Sequence, residues 1–340
     1  MRRFVLGFLA MLFALALATP GFGEGLEKSK LTIAVGGKTL FYYLPLTIAE
    51  QKGYFKDEGL DVEIPDFPGG AKALQALIGG SADLTSGAYE HTITQQAKGQ
   101  HIVALVLQGK DAGIVLAMPK AKAAAYRSPA DLKGMKIGVT APGSSTNMFV
   151  NILLARAGLK PDAVSIIGVG AGAGAVAAMK RGELDAIVNL DPVIAQLEAD
   201  GTVAPVVDTR TQKGMQEMYG GAYAAGCIYA PADFIAKNPN TTQAVVNAMV
   251  RALRFIQAST PEQIAATVPT TYYADKALYT AALKANLNAF RHDGSIPMAA
   301  AQNVYKDLKT FDPGLQNAQS IDLSKTIDMR FQEKAAAKYK

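Results

Sequence analysis

Tryptophan is absent from the 340 residues, cysteine occurs once and histidine three times. A single cysteine excludes an intrachain disulfide framework and any thiolate cluster for zinc or iron–sulfur. His91, His101 and His292 show no metal-ligand spacing, G-x-S-x-G is missing, and Cys227 has no histidine near it in sequence. No nucleophile-and-base pair is therefore visible, and Cys227 reads most simply as a small buried hydrophobe. Blocks of five or six like charges are also absent, which argues against nucleic acid as a partner. The formal charge is only +5, from 34 basic and 29 acidic residues. That is a weak pull toward anions and no more. Beyond the N-terminus no apolar run approaches membrane length.

What is present describes an ordered chain of two-domain size, 49% hydrophobic and 19% charged, with 32 glycines. Residues 1–18 open with Met1, Arg2 and Arg3, continue uncharged from Phe4, and end on the small pair Ala16 and Ala18. This is the pattern of a cleaved export signal. An uncleaved anchor is the alternative, but it needs roughly 18–20 apolar residues. Removal leaves 32 basic against 29 acidic residues, a charge of about +3, on 340 − 18 = 322 residues. No cysteine follows the apolar run, so a lipoprotein is not expected. The mature protein is expected to be soluble and exported, in a bacterial periplasm.

Strands and helices then alternate, twice. In the first unit the strand candidates are 31–35, 60–64, 83–86 and 102–107. Helices lie between them, one placing Leu74, Leu77 and Ile78 on one face. The pattern restarts with strands at 136–139, 164–169, 186–188 and 203–207 and helices between. Alternation with glycine-rich turns implies parallel sheets covered on both faces. Two further extended candidates, 113–118 and 222–229, flank the second unit. They read as two crossings between lobes, so that 113–222 forms a second lobe inserted into a first built from 30–112 and 223–335. Ligands of open α/β sheets bind beyond the carboxyl ends of the strands, so two facing lobes would make a cleft.

The run Leu44-Pro45-Leu46-Thr47-Ile48-Ala49-Glu50-Gln51-Lys52-Gly53-Tyr54-Phe55, continued to Glu63, resembles the opening signature of substrate-binding proteins of nitrate/sulfonate/taurine-type ABC importers. Asp131 to Val139, Gly182 to Ala186 and Phe234 to Pro239 resemble the same family, and the likeness spans about residues 31–310. The resemblance implies the α/β, two-lobed type II periplasmic binding protein fold. It also implies a solute-binding role without catalysis, a small-molecule ligand, a membrane ABC permease as partner, no cofactor and a monomer.

Gly143-Ser144-Ser145-Thr146 lies between a strand and a helix, where free N–H groups and hydroxyls suit an anion. An ordinary N-cap explains it equally well, and the family's anion position tips the reading toward Ser144, Ser145 and Thr146 as ligand contacts. Tyr42, Tyr43 and Tyr89 are the candidate aromatic walls, with core packing as the alternative. Gly69 and Gly70, with Ser86 and Gly87, end strands where backbone can approach a ligand or simply turn. Asn189 and Asp191 end a second-lobe strand; Asp191 either reads a polar substituent or caps the next helix. Glu90 and His91 carry a weaker form of that ambiguity. Gly170 and Gly172 belong to a G-x-G-x-x-A run that suits a dinucleotide or, more simply, offers backbone amides to the cleft. The expected solute is a small organic anion, a sulfonate or carboxylate. A neutral pyrimidine precursor is the alternative, and a secreted enzyme on the same fold is a third reading.

Overall fold

Short apolar runs, many of them β-branched, become the strands of two sheets in this computed structural model, which describes residues 25–318 and 321–340. The export signal expected over residues 1–18 lies outside the described residues. The strands are β1 (Lys30–Val35), β2 (Asp61–Glu63), β3 (Leu84–Ala88), β4 (Ile102–Leu107), β5 (Val115–Pro119), β6 (Lys136–Val139), β7 (Ser165–Gly168), β8 (Ala186–Asn189), β9 (Val203–Asp208) and β10 (Gly226–Pro231). The first sheet runs β2-β1-β3-β10-β4 and the second β7-β6-β8-β5-β9. Each sheet is parallel except for one strand. β10 lies antiparallel between β3 and β4, and β5 lies antiparallel between β8 and β9. The second sheet uses one continuous stretch of chain, whereas the first needs β10 to return to it. This is the inserted-lobe, α/β periplasmic binding protein architecture.

Most strand expectations lie within two residues of what is observed. The exception is 222–229: β10 begins only at Gly226, because Tyr223 is drawn out of line to stack on Tyr219, centroids 3.9 Å apart. The helix over 70–78 also differs in one respect. Its buried face is Ala73, Leu74, Ala76 and Leu77, whereas Ile78 is 42% exposed. Ile78 lies on the Leu74 side of the helix, but it is the last residue before the Gly79 turn, where the packing ends.

Cys227 sits inside the first sheet, on β10 between Gly87 of β3 and Leu107 of β4, with no exposed surface. Burial pushes its thiol well above the usual range. The helices that matter below are α1 (Leu44–Gln51), α2 (Gly70–Ile78), α3 (Glu90–Gln96), α4 (Ser145–Arg156), α5 (Val193–Ala199), α6 (Gln212–Tyr219), α7 (Lys276–Asn286) and α8 (Met298–Leu308). Among the described residues no helix is long and apolar enough to cross a membrane.

Candidate functional site

Where the two lobes meet, the loops after β1, β2, β3, β6 and β8 come together, as strand ends in open α/β sheets do. The lobes are in direct contact. The Ala71 N–H, in the first turn of α2, donates to Ser144 Oγ of the other lobe at 2.9 Å. The Phe41 N–H donates to the Asp191 carbonyl at 3.0 Å, and Thr39 Oγ1 to the Ala171 carbonyl at 3.3 Å. Gly69 (φ +135°) makes the approach possible: a Cβ there would lie 2.8 Å from Ala141 Cβ across the cleft. Gly37 (φ +105°) is tighter still, its Cβ position 2.3 Å from Ala171 Cβ.

The interior of the cleft is aromatic and acidic. Glu90 begins α3 and is buried. Tyr223 donates to its Oε1 at 3.2 Å, and among the described residues Oε2 has no partner. Burial, with a smaller contribution from Asp307, pushes the Glu90 carboxyl up to about 7, so it holds a proton about half the time at neutrality. Tyr42, Tyr43, Tyr219, Tyr223 and Tyr229 all lie within its field and are themselves held above the usual phenol range by burial. Among the described residues, no hydrogen bond engages the hydroxyl of Tyr42, Tyr43 or Tyr219. His91 follows Glu90, its Nδ1 3.1 Å from the Tyr229 hydroxyl and its Nε2 3.4 Å from the Gly143 carbonyl. With Nε2–H donating and Nδ1 accepting, the ring is satisfied as neutral imidazole. Burial pulls its pKa down to about 4.

The expected anion loop is only partly free. Ser144 is engaged with Ala71 as above, and Thr146 Oγ1 accepts from the Thr140 N–H at 3.1 Å and pairs with its hydroxyl at 2.9 Å. The N–H groups of Ser145 and Thr146, at the start of α4, donate to nothing among the described residues. Gly70 lies beneath the Tyr43 hydroxyl, and Gly87 packs under the Tyr229 hydroxyl. Ser86 accepts from Gln108 Nε2 within the sheet. Tyr89 is not brought into this group: its hydroxyl pairs with Thr326 Oγ1 at 2.6 Å in the first lobe's interior.

Asn189, Asp191 and the Gly170 loop form a second cluster at the rim. Asn189 donates to the Gly170 carbonyl (φ +79° at Gly170), and Gly172 precedes the next helix. Asp191 is 1% exposed and caps the next helix, as one of its two readings expected; its other oxygen is taken by the protein itself. Its Oδ1 caps α5 at the Ala195 N–H (2.9 Å), and its Oδ2 accepts from Asn286 of the first lobe (2.7 Å). Burial raises its pKa despite Arg210, because that guanidinium sits closer to Asp208 (2.7 Å) and Glu198 (2.8 Å) than to Asp191 (3.4 Å). Between Asp191, Asn286, Phe41, Tyr42 and Phe290 is a cavity of about 20 Å³, room for one water. Among the described residues no three His, Cys, Asp or Glu side chains are placed to hold a metal.

Sequence reasoning missed Tyr219, Tyr223, Tyr229 and Asn286. The Tyr-Gly-Gly-Ala-Tyr run at 219–223, just ahead of a crossing strand, was the available signal for the first two.

Residues 41–264 match the NMT1/THI5-like protein family. A protein of solved structure from Bordetella bronchiseptica RB50 is 53% identical, with a TM-score of 0.90 over 93% of this chain and 99% of that one. The alkanesulfonate-binding protein SsuA from Xanthomonas axonopodis pv. citri, bound to MOPS, is 18% identical, with a TM-score of 0.71 over 90% of this chain and 100% of its own. The 4-amino-5-hydroxymethyl-2-methylpyrimidine phosphate synthase THI13 of Saccharomyces cerevisiae is 24% identical over 68% of both chains.

Proposed function

Because the chain belongs to the NMT1/THI5-like family and has the periplasmic binding protein fold, we propose that it is the exported solute-binding component of an ABC importer. It takes a small organic solute between its lobes and hands it to the permease. We place the lobe boundaries at 112/113 and 222/223, with the second lobe riding on the two crossings. The solute binds one lobe and then draws the other over it through contacts made only in the closed state, such as Ala71–Ser144 and Phe41–Asp191.

The solute class favoured by the geometry is a small planar nitrogen heterocycle bearing N–H donors, of the aminopyrimidine kind. One observation carries this: the unpartnered Oε2 of Glu90, buried inside a ring of tyrosines. A carboxyl with one free oxygen accepts from an amino group and, when protonated, donates to a ring nitrogen. The tyrosine faces supply the stacking surface. The name of the yeast relative supports the same class. Binding without turnover is part of the proposal, and the likeness to the alkanesulfonate-binding protein of Xanthomonas supports it.

A second reading, an organic anion, has its own observation in the free amides of Ser145 and Thr146 at the start of α4. Calorimetry of the full chain against 4-amino-5-hydroxymethyl-2-methylpyrimidine and against an alkanesulfonate separates them. The first reading expects one-to-one binding of the pyrimidine, unchanged on incubation and weakened at least about tenfold, or 1.4 kcal/mol, by Glu90→Leu. Tight binding of the sulfonate, insensitive to Glu90→Leu and lost in Ser145→Glu, establishes the second. Conversion of the pyrimidine to a product defeats the non-enzymatic assignment.

A further inference from the structure

The surroundings of Glu90 lack what a buried carboxyl ordinarily has beside it, a cation. The turn ahead of α1 brings Tyr42 and Tyr43 within its field, and the end of α6 brings Tyr219. Tyr223 approaches from just before β10, and Cys227 and Tyr229 from the strand itself. Burial holds every one of these phenols, and the thiol, in the uncharged form. On α3 itself the neighbour is His91, a neutral ring with both nitrogens engaged. α8 contributes not a cation but a second acid, Asp307.

Asp307 repeats the pattern. It is buried, and among the described residues its Oδ2 has no partner. Burial pushes its carboxyl up to about 6 even though Arg156 and Lys306 oppose the shift. Those two cations act on Asp307 rather than on Glu90, and Arg156 donates to the Glu217 and Met218 carbonyls. Among the described residues no ion pair involves Glu90.

Burying a carboxylate without a counter-charge is costly, and the remedies are a neighbouring cation or a proton. A proton removes the charge of Glu90 and leaves an oxygen without a partner, because Tyr223 serves only Oε1. A ligand that carries positive charge on its own N–H groups remedies both faults together. The tyrosines favour the same sign, since the face of an aromatic ring is negative and attracts a cation. An anion meets the opposite: two acids and the negative faces of the rings.

We propose that the cleft selects an organic cation, an amidinium or a protonated amino heterocycle, whose N–H groups meet the Glu90 carboxylate while its face lies against tyrosine. This rests on the reading that the solute sits at Glu90 and adds to it the charge of the bound form. A ligand that arrives already charged displaces the proton. The carboxyl O–H bond breaks, the proton leaves to solvent, and the ligand N–H donates to the oxygen so vacated, so that charge balances. Only the ionised carboxyl receives such a ligand. Its ionised share grows about tenfold from pH 6 to pH 8, and affinity for the cation rises with it and then levels off.

The probes are benzamidinium, a cation throughout this range, and benzamide, its uncharged analogue of nearly the same shape. Both are titrated by calorimetry into the full chain, in phosphate and in Tris, whose different ionisation heats count the protons exchanged. Benzamidinium should bind one-to-one, at least about tenfold more tightly than benzamide. It should release about half a proton at pH 7 and nearly one at pH 6. In Glu90→Gln, shown to be folded by circular dichroism, both the preference for the cation and the proton release should vanish. Equal affinity for the two probes, binding of benzamidinium without proton release, or a preference that survives Glu90→Gln overturns the proposal. The first two are read on the wild type and need no variant. If benzamidinium fails to bind up to about 10 mM while the aminopyrimidine binds and is weakened by Glu90→Leu, the cation proposal falls and the reading of the site at Glu90 stands. If benzamidinium behaves as expected and the aminopyrimidine does not bind, the cation proposal stands and the aminopyrimidine class falls.

Discussion

Replacing Glu90 with glutamine should uncover a pH dependence of stability that the wild type conceals. Glu90 titrates near 7 in the folded protein against 4.5 ordinarily. Between those values the folded state keeps a proton that the unfolded chain gives up, so stability falls as pH rises. The slope is about 1.4 kcal/mol per unit, and the sum about 3 kcal/mol by pH 7, with no further change above it. His91 works the other way. Its pKa is about 4 in the folded protein against 6.5 ordinarily, so the unfolded chain takes up a proton in that window and the folded one does not. Stability therefore rises with pH from 4 to 6.5, again by about 3 kcal/mol. From pH 4.5 to 6.5 the two slopes oppose each other and nearly cancel. Glu90→Gln removes one and leaves the other. Urea denaturation of both proteins from pH 4.5 to 8 reads the difference directly. The stability of the variant minus that of the wild type should climb by about 1.4 kcal/mol per unit to pH 7 and then level off. A difference independent of pH would refute the reasoning, because Glu90 would then be ionised with a partner for Oε2.

Two further substitutions probe the contact between the lobes. Gly37→Ala places a methyl group on Ala171 and forces a side chain to φ +105°. It should weaken solute affinity at least about tenfold and enlarge the radius of gyration of the liganded protein in small-angle scattering; unchanged values would mean that this contact does not form on closure. Arg210→Met strands Asp191 in its buried position and should destabilise the fold by about 3–5 kcal/mol in chemical denaturation. A loss under about 1 kcal/mol would show Asp191 to be neutral in the folded state, its proton doing what the guanidinium was thought to do.

The strands were legible because most are short apolar runs rich in β-branched residues and bounded by turns, and the inserted lobe was legible because that pattern runs twice with an extended segment on either side. The start of β10 was not, since Tyr223-Ala224-Ala225 is as apolar as the strand it precedes, and only the stacking on Tyr219 pulls it away. At the site, glycine- and serine-rich loops announced themselves locally, and Asp191 carried its two readings openly. The partners that give those residues their meaning are remote in sequence. Nothing near Ser144 foretells that its hydroxyl meets Ala71, and nothing near Glu90 foretells Tyr223. Tyr89 misled for the same reason: its neighbours in sequence line the cleft, but its hydroxyl belongs to Thr326. Local pattern finds loops; which side chains converge is decided by long-range packing.

The return of β10 to the first sheet sets an order of assembly. All five strands of the second sheet are contiguous in the chain, so that lobe can finish its hydrogen bonding as soon as Asp208 is available. The first sheet has to wait. Until Gly226–Pro231 arrives, β3 and β4 face an open slot with Leu105 and Val106 unshielded, and the pairing that closes it spans the whole inserted lobe. Contacts so distant in sequence form late, and an open slot between strands is an invitation to another chain. The vulnerable species during synthesis is thus a protein whose second half is complete while its first half is still missing a strand, and a chain cut short before Gly226 would stay in that condition.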